Sequence, residues 1–356
     1  MATRGRAVML TGRSAQGRVL VTGGAGFVGS RVVGQLIDRE YDVYVLARDK
    51  HKLTDRLAGR GSNRLTLLSG DLLKDADLAR LESDLATRVK DLDFIVHLVG
   101  GGPLTSNEAF AKQITDLNYT ATANLLDILK SAGKLNSVSL MVYLSSLAAM
   151  GIPSSDGHRI VYRETTPCNP VLAYERAKLK TEHFLEELAL TRHLKTFILR
   201  VPQIYGSPSD PLIGIINLMR RRLFPVVRKR VGSLPLIHVG DVAEAVCTVL
   251  ENHNRIRVPC EIDVLCEKSY SYTELADIVR HKYGQAGLLQ VPFWFLYAAT
   301  AITELVCSVL NRPEPLNRRR LVSMTMDRIV DSSKFVDSFH FNFHHNVQSF
   351  LTKELN

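Results

Sequence analysis

From Arg18 onward, short apolar runs alternate with amphipathic stretches. Residues 18–22 form a continuous apolar run ending at glycines, the pattern of a strand buried on both faces. Apolar positions then recur at helical spacing over 27–37. The same reading predicts strands at 42–47, 65–68, 94–99 and 139–144. A basic loop and a short helix should follow the second strand, and a long amphipathic helix from about 107 to 131 should precede the fifth. A helix over 172–192 and a strand over 196–199 continue the series. Such alternation requires crossover connections and hence an α/β fold, a doubly wound parallel sheet with helices on both faces.

After Gly206, prolines and arginines interrupt the repeat. The expected organisation is an N-terminal extension at 1–17, a nucleotide-binding body at 18–206 and a smaller C-terminal substrate lobe at 207–356. About 234–250 should return to the body, with Asp241 and Glu244 spaced as a capping box for a helix there. Residues 291–310 carry a single charge, Glu304, over a length that could cross a bilayer. Pro292, Thr300, Thr303 and Glu304 interrupt the apolar run, so a packed helix is favoured over contact with a membrane surface, and a true span comes last.

The net charge of +9 gathers in Arg220–Arg222, Arg228–Arg230 and Arg318–Arg320. These clusters suit a solvated surface, an anionic substrate or lipid headgroups; no nucleic-acid motif accompanies them. The five cysteines are scattered without a C-x-x-C pair, which argues against a disulfide framework or a metal site and for a reducing, cytoplasmic setting. Residues 1–17 lack the continuous apolar core of a secretory signal.

Thr22-Gly23-Gly24-Ala25-Gly26-Phe27-Val28-Gly29 lies where the first strand meets the first helix. Gly23 permits the tight turn, Gly26 lets the backbone approach a pyrophosphate, and Gly29 lets the helix lie on the sheet. Phe27 and Val28 carry the helix N-terminus to the phosphates, which is the Rossmann-type fingerprint. At the end of the second strand Ala47 stands where an acid would bind the ribose of NAD, and Arg48 follows, so NADP is the preferred cofactor and NAD the alternative. Asp71, followed by Leu72 after the third strand, is placed to meet the adenine; the alternative for Asp71 is a loop cap.

Tyr174 and Lys178 share a helix face at i and i+4. Moving a hydride at a carbinol carbon requires a proton to leave or reach the oxygen. A phenol suits that task when a nearby ammonium draws its pKa down from about 10. Ser146, at the carboxyl end of the fifth strand, can donate to the substrate oxygen.

These pieces together resemble an extended short-chain dehydrogenase/reductase, of the epimerase/dehydratase and 3β-hydroxysteroid dehydrogenase group. The likeness runs from Arg18 over nearly the whole chain. It rests on the glycine turn, Gly70-Asp71-Leu72, Val96-His97-Leu98, Asn118, Ser145-Ser146, Tyr174 with Lys178, Leu199-Arg200, Tyr205-Gly206, and Ile237-His238-Val239 with Asp241. The resemblance implies that Asn118 supports the lysine and a proton-relay water, that Lys178 also holds the nicotinamide ribose, and that two copies pair through the helices bearing Asn118 and Tyr174. His97 reads as a packed strand residue rather than a base.

Departures narrow the substrate. Ser146-Leu147-Ala148 replaces the Thr-Asp-Glu of dehydratases, which removes the acid and base for water elimination. Leu234 replaces the diphosphate-binding arginine that nucleotide-sugar epimerases place three residues before the Ile-His-Val strand. The expected function is therefore hydride transfer at a hydroxyl or ketone carbon of a hydrophobic or lipid-like small molecule. A nucleotide-sugar epimerase with its phosphate contacts moved to Arg220–Arg222 or Arg228–Arg230 is the alternative. A non-catalytic dinucleotide-binding scaffold subunit is the reading from another class, and the intact Ser146, Tyr174 and Lys178 argue against it.

Overall fold

The computed structural model describes residues 16–49, 63–154, 159–207, 210–230 and 232–355. The expected extension at 1–17, except its last two residues, and most of the loop and short helix after the second strand lie outside the described residues.

The strands are β1 (Arg18–Thr22), β2 (Asp42–Ala47), β3 (Leu65–Ser69), β4 (Phe94–His97), β5 (Leu140–Ser146), β6 (Arg159–Tyr162), β7 (Thr196–Val201), β8 (Gln203–Tyr205), β9 (Phe224–Val227), β10 (Ser233–His238), β11 (Cys260–Val264), β12 (Lys268–Ser271), β13 (Leu288–Val291) and β14 (Asp327–Val330). The α-helices are α1 (Phe27–Asp38), α2 (Asp75–Arg88), α3 (Ala111–Thr115), α4 (Ala121–Ser131), α5 (Ala173–Arg192), α6 (Pro211–Arg220), α7 (Val239–Glu251), α8 (Tyr272–Tyr283), α9 (Phe293–Val309), α10 (Arg318–Met324), α11 (Ser333–Phe339) and α12 (Val347–Lys353).

Seven strands form a parallel sheet in the order β11-β7-β5-β4-β1-β2-β3. The apolar runs follow from burial on both faces: Val19, Leu20 and Val21 are all fully enclosed. One face packs against α1 and α7, where Val32, Val33 and Leu36 meet Val242 and Val246. The other packs against α2, α4 and α5 through Leu81, Leu85, Leu125, Leu129 and Leu185. The order reverses beside β1, so the chain leaves the paired β1 and β4 towards opposite faces and a crevice opens at their carboxyl ends, where such sheets bind ligands.

A smaller lobe is built from the β12-β10-β8 sheet, the β13-β9 pair and helices α6, α8 and α12, with its own core of Tyr205, Ile216, Phe224, Tyr272 and Phe350. Although α7 follows a lobe strand, it packs back on α1. The pair β14-β6 joins the C-terminal segment to the loop after β5.

Three local expectations are corrected. The helix expected over 107–131 is broken into a 3₁₀ turn (Glu108–Phe110), α3, a π-helical turn (Asp116–Thr120) and α4. The strand expected over 94–99 ends at His97, because Gly100, Gly101 and Gly102 take φ of 147°, 148° and 135°, which L side chains rarely adopt. Asp241 and Glu244 do not form a capping box. His238 caps α7, Asp241 accepts from the His344 and His345 N–H groups, and Glu244 pairs with Arg39 at 2.7 Å.

Candidate active site

The turn from β1 into α1 leaves no space for side chains. Gly23 has φ +73°, and a Cβ on it would lie 3.0 Å from the Leu98 carbonyl carbon. A Cβ on Gly29 would overlap the Gly23 carbonyl oxygen. Gly26 is the N-cap of α1 and supplies no side-chain cap, and the first turn contains no acid. The leading N–H groups, including those of Phe27 and Val28, therefore have no intrahelical acceptor and carry the positive end of the helix dipole. A tight cradle with an uncapped, acid-free helix start fits a dinucleotide pyrophosphate.

Beside this cradle, the ends of β2 and β3 bring Arg48 and Asp71 to 3.9 Å. Arg48 is 73% exposed, while Ala47, at the position an acid would occupy, is buried. Asp71 also accepts from the Leu73 N–H at 3.1 Å, so it does cap its loop while facing Arg48. The Leu72 carbonyl accepts from Asn124 Nδ2 at 2.7 Å, which ties this edge to α4.

Ser146 is the last residue of β5, and its Oγ accepts from the Ala148 N–H at 3.1 Å. Tyr174 lies in the first turn of α5 and faces Ser146. Burial raises its phenol above the ordinary value, and the Ser146 hydroxyl partly offsets this. One turn on, Lys178 is almost fully buried and donates to Tyr143 Oη and to the Leu144 carbonyl, both at 3.1 Å. Burial lowers its pKa to about 8, with Glu182 opposing that fall. The ammonium thus bonds to Tyr143 rather than to Tyr174, whose phenol stays raised by burial.

Asn118 sits in the π-helical turn, a distortion common at functional sites. Its Nδ2 donates to the Gly101 and Ile114 carbonyls at 2.8 and 2.7 Å, and its Oδ1 accepts from the Gly101 N–H at 3.1 Å. A Cβ at Gly100 would lie 2.7 Å from Asn118 Oδ1 and 2.9 Å from Lys178 Nζ. Glycine there is what lets the loop after β4 run over these two side chains.

Behind Lys178 stands a buried ion pair, Glu182 with Arg200 at 2.6 Å, and the Ser145 hydroxyl donates to the same carboxylate. His97 is fully buried between the Thr22 and Thr122 hydroxyls at 2.6 and 2.9 Å. Burial and Lys178 lower it to about 3, which keeps it neutral and in a packing role. The sequence alone assigns no role to Tyr143, Glu182 or Thr122, and names Thr22 only as the start of the glycine turn. Their signal was polar residues on strands and helix faces that the fold buries.

The site is tied to the C-terminal segment. Arg319 pairs with the buried Glu175 at 3.1 Å, next to Tyr174. Glu314 accepts from the Thr105 hydroxyl and from the Ser106 N–H, which latches the loop after β4. An open groove of about 590 Å³ lies beside Arg319, lined mainly by Ile152, Pro153, Val171, Tyr297, Val322 and Met326, with Ser154, Asn169 and Arg318 also in its wall. Arg320 and Arg328 converge on Tyr272; burial lowers the Arg320 pKa, and neither forms an ion pair among the described residues. Arg220–Arg222 and Arg228–Arg230 are exposed around the β9–β13 pair.

Fold and site together define an NAD(P)-dependent enzyme of the extended short-chain dehydrogenase/reductase type. The chain belongs to the NAD dependent epimerase/dehydratase family, whose model matches residues 19–264. It is similar to a putative UDP-glucose 4-epimerase of Methanocaldococcus jannaschii, 26% identical over 76% of this chain and 83% of the relative. It is also similar to the decarboxylating sterol-4-alpha-carboxylate 3-dehydrogenase of Dictyostelium discoideum, 27% identical over 65% of this chain and 67% of that one. The solved UDP-glucose 4-epimerase from Bifidobacterium longum, in complex with NAD+ and UDP, superposes with a TM-score of 0.69 at 19% identity, covering 95% and 97% of the two chains.

Proposed function

We propose that this chain oxidises a secondary alcohol, or reduces the matching ketone, on a hydrophobic or lipid-like substrate, with NADP preferred. The observation that carries the reaction is the meeting of Ser146, Tyr174, Lys178 and Asn118 at the carboxyl edge of β5, beside the glycine cradle. When bound, the nicotinamide supplies the hydride acceptor or donor. Tyr174 takes the proton from the substrate oxygen or returns it, and Ser146 donates to that oxygen as charge develops.

Burial raises the Tyr174 phenol, so it is protonated at neutral pH unless cationic charge collects beside it. Lys178 supplies part of that charge and sits where it can hold a ribose hydroxyl. Asn118 holds the Gly100–Gly102 loop over it.

Three features support the hydrophobic substrate and NADP. Leu234 is buried in β10 where a phosphate-binding arginine would be needed. The groove beside α5 is lined mainly by apolar side chains. Ala47 rather than an acid ends β2 and the exposed Arg48 follows it, which suits a 2′-phosphate. Pairing of two chains through the helices bearing Asn118 and Tyr174, in a cytoplasmic setting, belongs to the same reading.

A nucleotide-sugar epimerase is the second reading. The relatives named as UDP-glucose 4-epimerases favour it, and so does the half-buried pair Arg320 and Arg328, which forms no ion pair among the described residues and suits a diphosphate. That location replaces Arg220–Arg222 and Arg228–Arg230, which are exposed.

Purified protein offered NAD or NADP with UDP-sugars, and NADH or NADPH with a panel of hydrophobic ketones, separates the two readings. Turnover of a ketone with released NADP supports the first. Tightly retained NAD with interconversion of UDP-sugars, lost in Arg320→Ala, replaces it with the second.

A further inference from the structure

Helix α9 is turned inside out relative to an ordinary surface helix. At about 100° per residue, Trp294, Ala298, Ile302, Leu305 and Val309 fall on one stripe, and Phe295 and Val306 border it. That stripe points away from the protein: Trp294 is 71% exposed, Ile302 63%, Leu305 67% and Val309 79%. Of the polar residues, Thr300, Thr303 and Glu304 face inward, while Ser308 is exposed at the edge of the stripe. Thr300 is buried and donates to the Tyr297 carbonyl, Thr303 donates to Ala299, and Glu304 is 12% exposed and pairs with Arg318 at 2.7 Å. No charged side chain lies on the outward face.

Cationic groups frame the stripe at both ends. The Arg228 N–H donates to the Val291 carbonyl at 2.9 Å, which puts the exposed Arg228-Lys229-Arg230 turn beside the start of α9. Exposed Arg312 follows its end. The neighbouring β9–β13 pair adds exposed Leu223 and Leu289 beside Arg222. No described helix is long and apolar enough to cross a membrane.

We propose that α9 lies in the plane of an anionic lipid bilayer, with its outward stripe in the headgroup–acyl boundary and the flanking arginines and Lys229 on the headgroups. An outward apolar stripe bearing Trp and Phe and framed by basic residues is the pattern of interfacial helices. Charge selects this occupant over a second copy of the chain. A two-fold pairing through α9 would bring like-charged ends together, with no outward acid to neutralise them. The ties of Arg319 to Glu175 and of Glu314 to Thr105 run from the segment after α9 to the loops around Tyr174, so a docked protein would hold its groove close to the lipid surface. This inference goes beyond the choice of substrate, because its test reads partition and not turnover.

Trp294 is the sole tryptophan and therefore reports on the helix directly. Full-length protein should show a blue shift of Trp294 emission, quenching by bromolipids and co-sedimentation with vesicles of phosphatidylcholine containing phosphatidylserine. Partition should fall roughly 100-fold on pure phosphatidylcholine, or when Arg228, Lys229 and Arg230 are all changed to Glu. Leu305→Asp with Val309→Asp should also abolish it, and unchanged dinucleotide affinity in both variants would confirm that they fold. Water-like emission with every vesicle would overturn the proposal. So would a blue shift without lipid that grows with protein concentration alongside a dimer in sedimentation, since a second copy would then cover the stripe.

Discussion

Two regions of this protein treat polarity in opposite ways. Around Lys178 the polar groups are buried and answered: Tyr143 and Leu144 accept from the ammonium, Glu182 holds Arg200, and Thr22 and Thr122 hold His97. On α9, Thr300, Thr303 and Glu304 turn inward and a row of large apolar side chains faces out. A reaction that moves a proton between fixed atoms needs the first arrangement, because buried polar groups with every partner in place have one geometry. The second arrangement fixes no distance and suits a surface that adapts. Burial alone thus separates a region whose polar groups are enclosed and paired from one whose apolar side chains face out.

The contrast can be broken by substitution. Tyr174→Phe should have the largest effect, a loss of about 10³-fold in kcat with dinucleotide affinity nearly unchanged. Steady-state rates and calorimetric titration check this, and wild-type turnover would remove Tyr174 from its role. Glu182→Ala leaves the Arg200 guanidinium buried without its partner and should cost about 3–5 kcal/mol of stability. Leu305→Asp, on the outward stripe, should change stability by less than about 0.5 kcal/mol. Equal losses in chemical denaturation would mean that the two regions do not differ as described.

The Lys178 pKa predicts a pH dependence. Its folded value is about 8, against about 10.4 in an unfolded chain. Below pH 8 both states carry the proton, and the penalty for burying the charge is constant. Between about 8 and 10.5 the unfolded state binds more protons, so stability rises with pH. The stability difference between wild type and Lys178→Met should therefore climb over that window and stay flat below it; a flat difference throughout would contradict a buried, depressed lysine. A modest effect belongs to exposed Arg48: Arg48→Asp should shift preference from NADP towards NAD by about tenfold, near 1.4 kcal/mol, in competitive binding.

Much of this was legible in the sequence. The strands β1 to β5 and β7 follow from apolar runs, because burial on both faces leaves little choice of residue. The glycine turn was legible because close backbone approach excludes every Cβ, as Gly29 illustrates. Ser146, Tyr174, Lys178 and Asn118 could be named from spacing and resemblance, but not their partners. That Lys178 would bond to Tyr143 rather than to Tyr174 depends on side-chain direction, which periodicity does not carry. The π-helical turn at Asp116–Thr120 was hidden because one extra residue per turn hardly disturbs an amphipathic pattern. The outward face of α9 was hidden for a different reason: an apolar stripe reads as core unless the packing partner is known to be missing.

The account centres on proton transfer by Tyr174 beside a bound nicotinamide. The most direct test mixes wild type and Tyr174→Phe, saturated with reduced dinucleotide for the hydrophobic ketones or with oxidised dinucleotide for the matching alcohols and UDP-sugars, and follows dihydronicotinamide absorbance through a single turnover. The account predicts a substrate-dependent change in the wild type that is at least about 100-fold slower in the variant. Equal rates in the two proteins, or no dinucleotide binding by either, would contradict it.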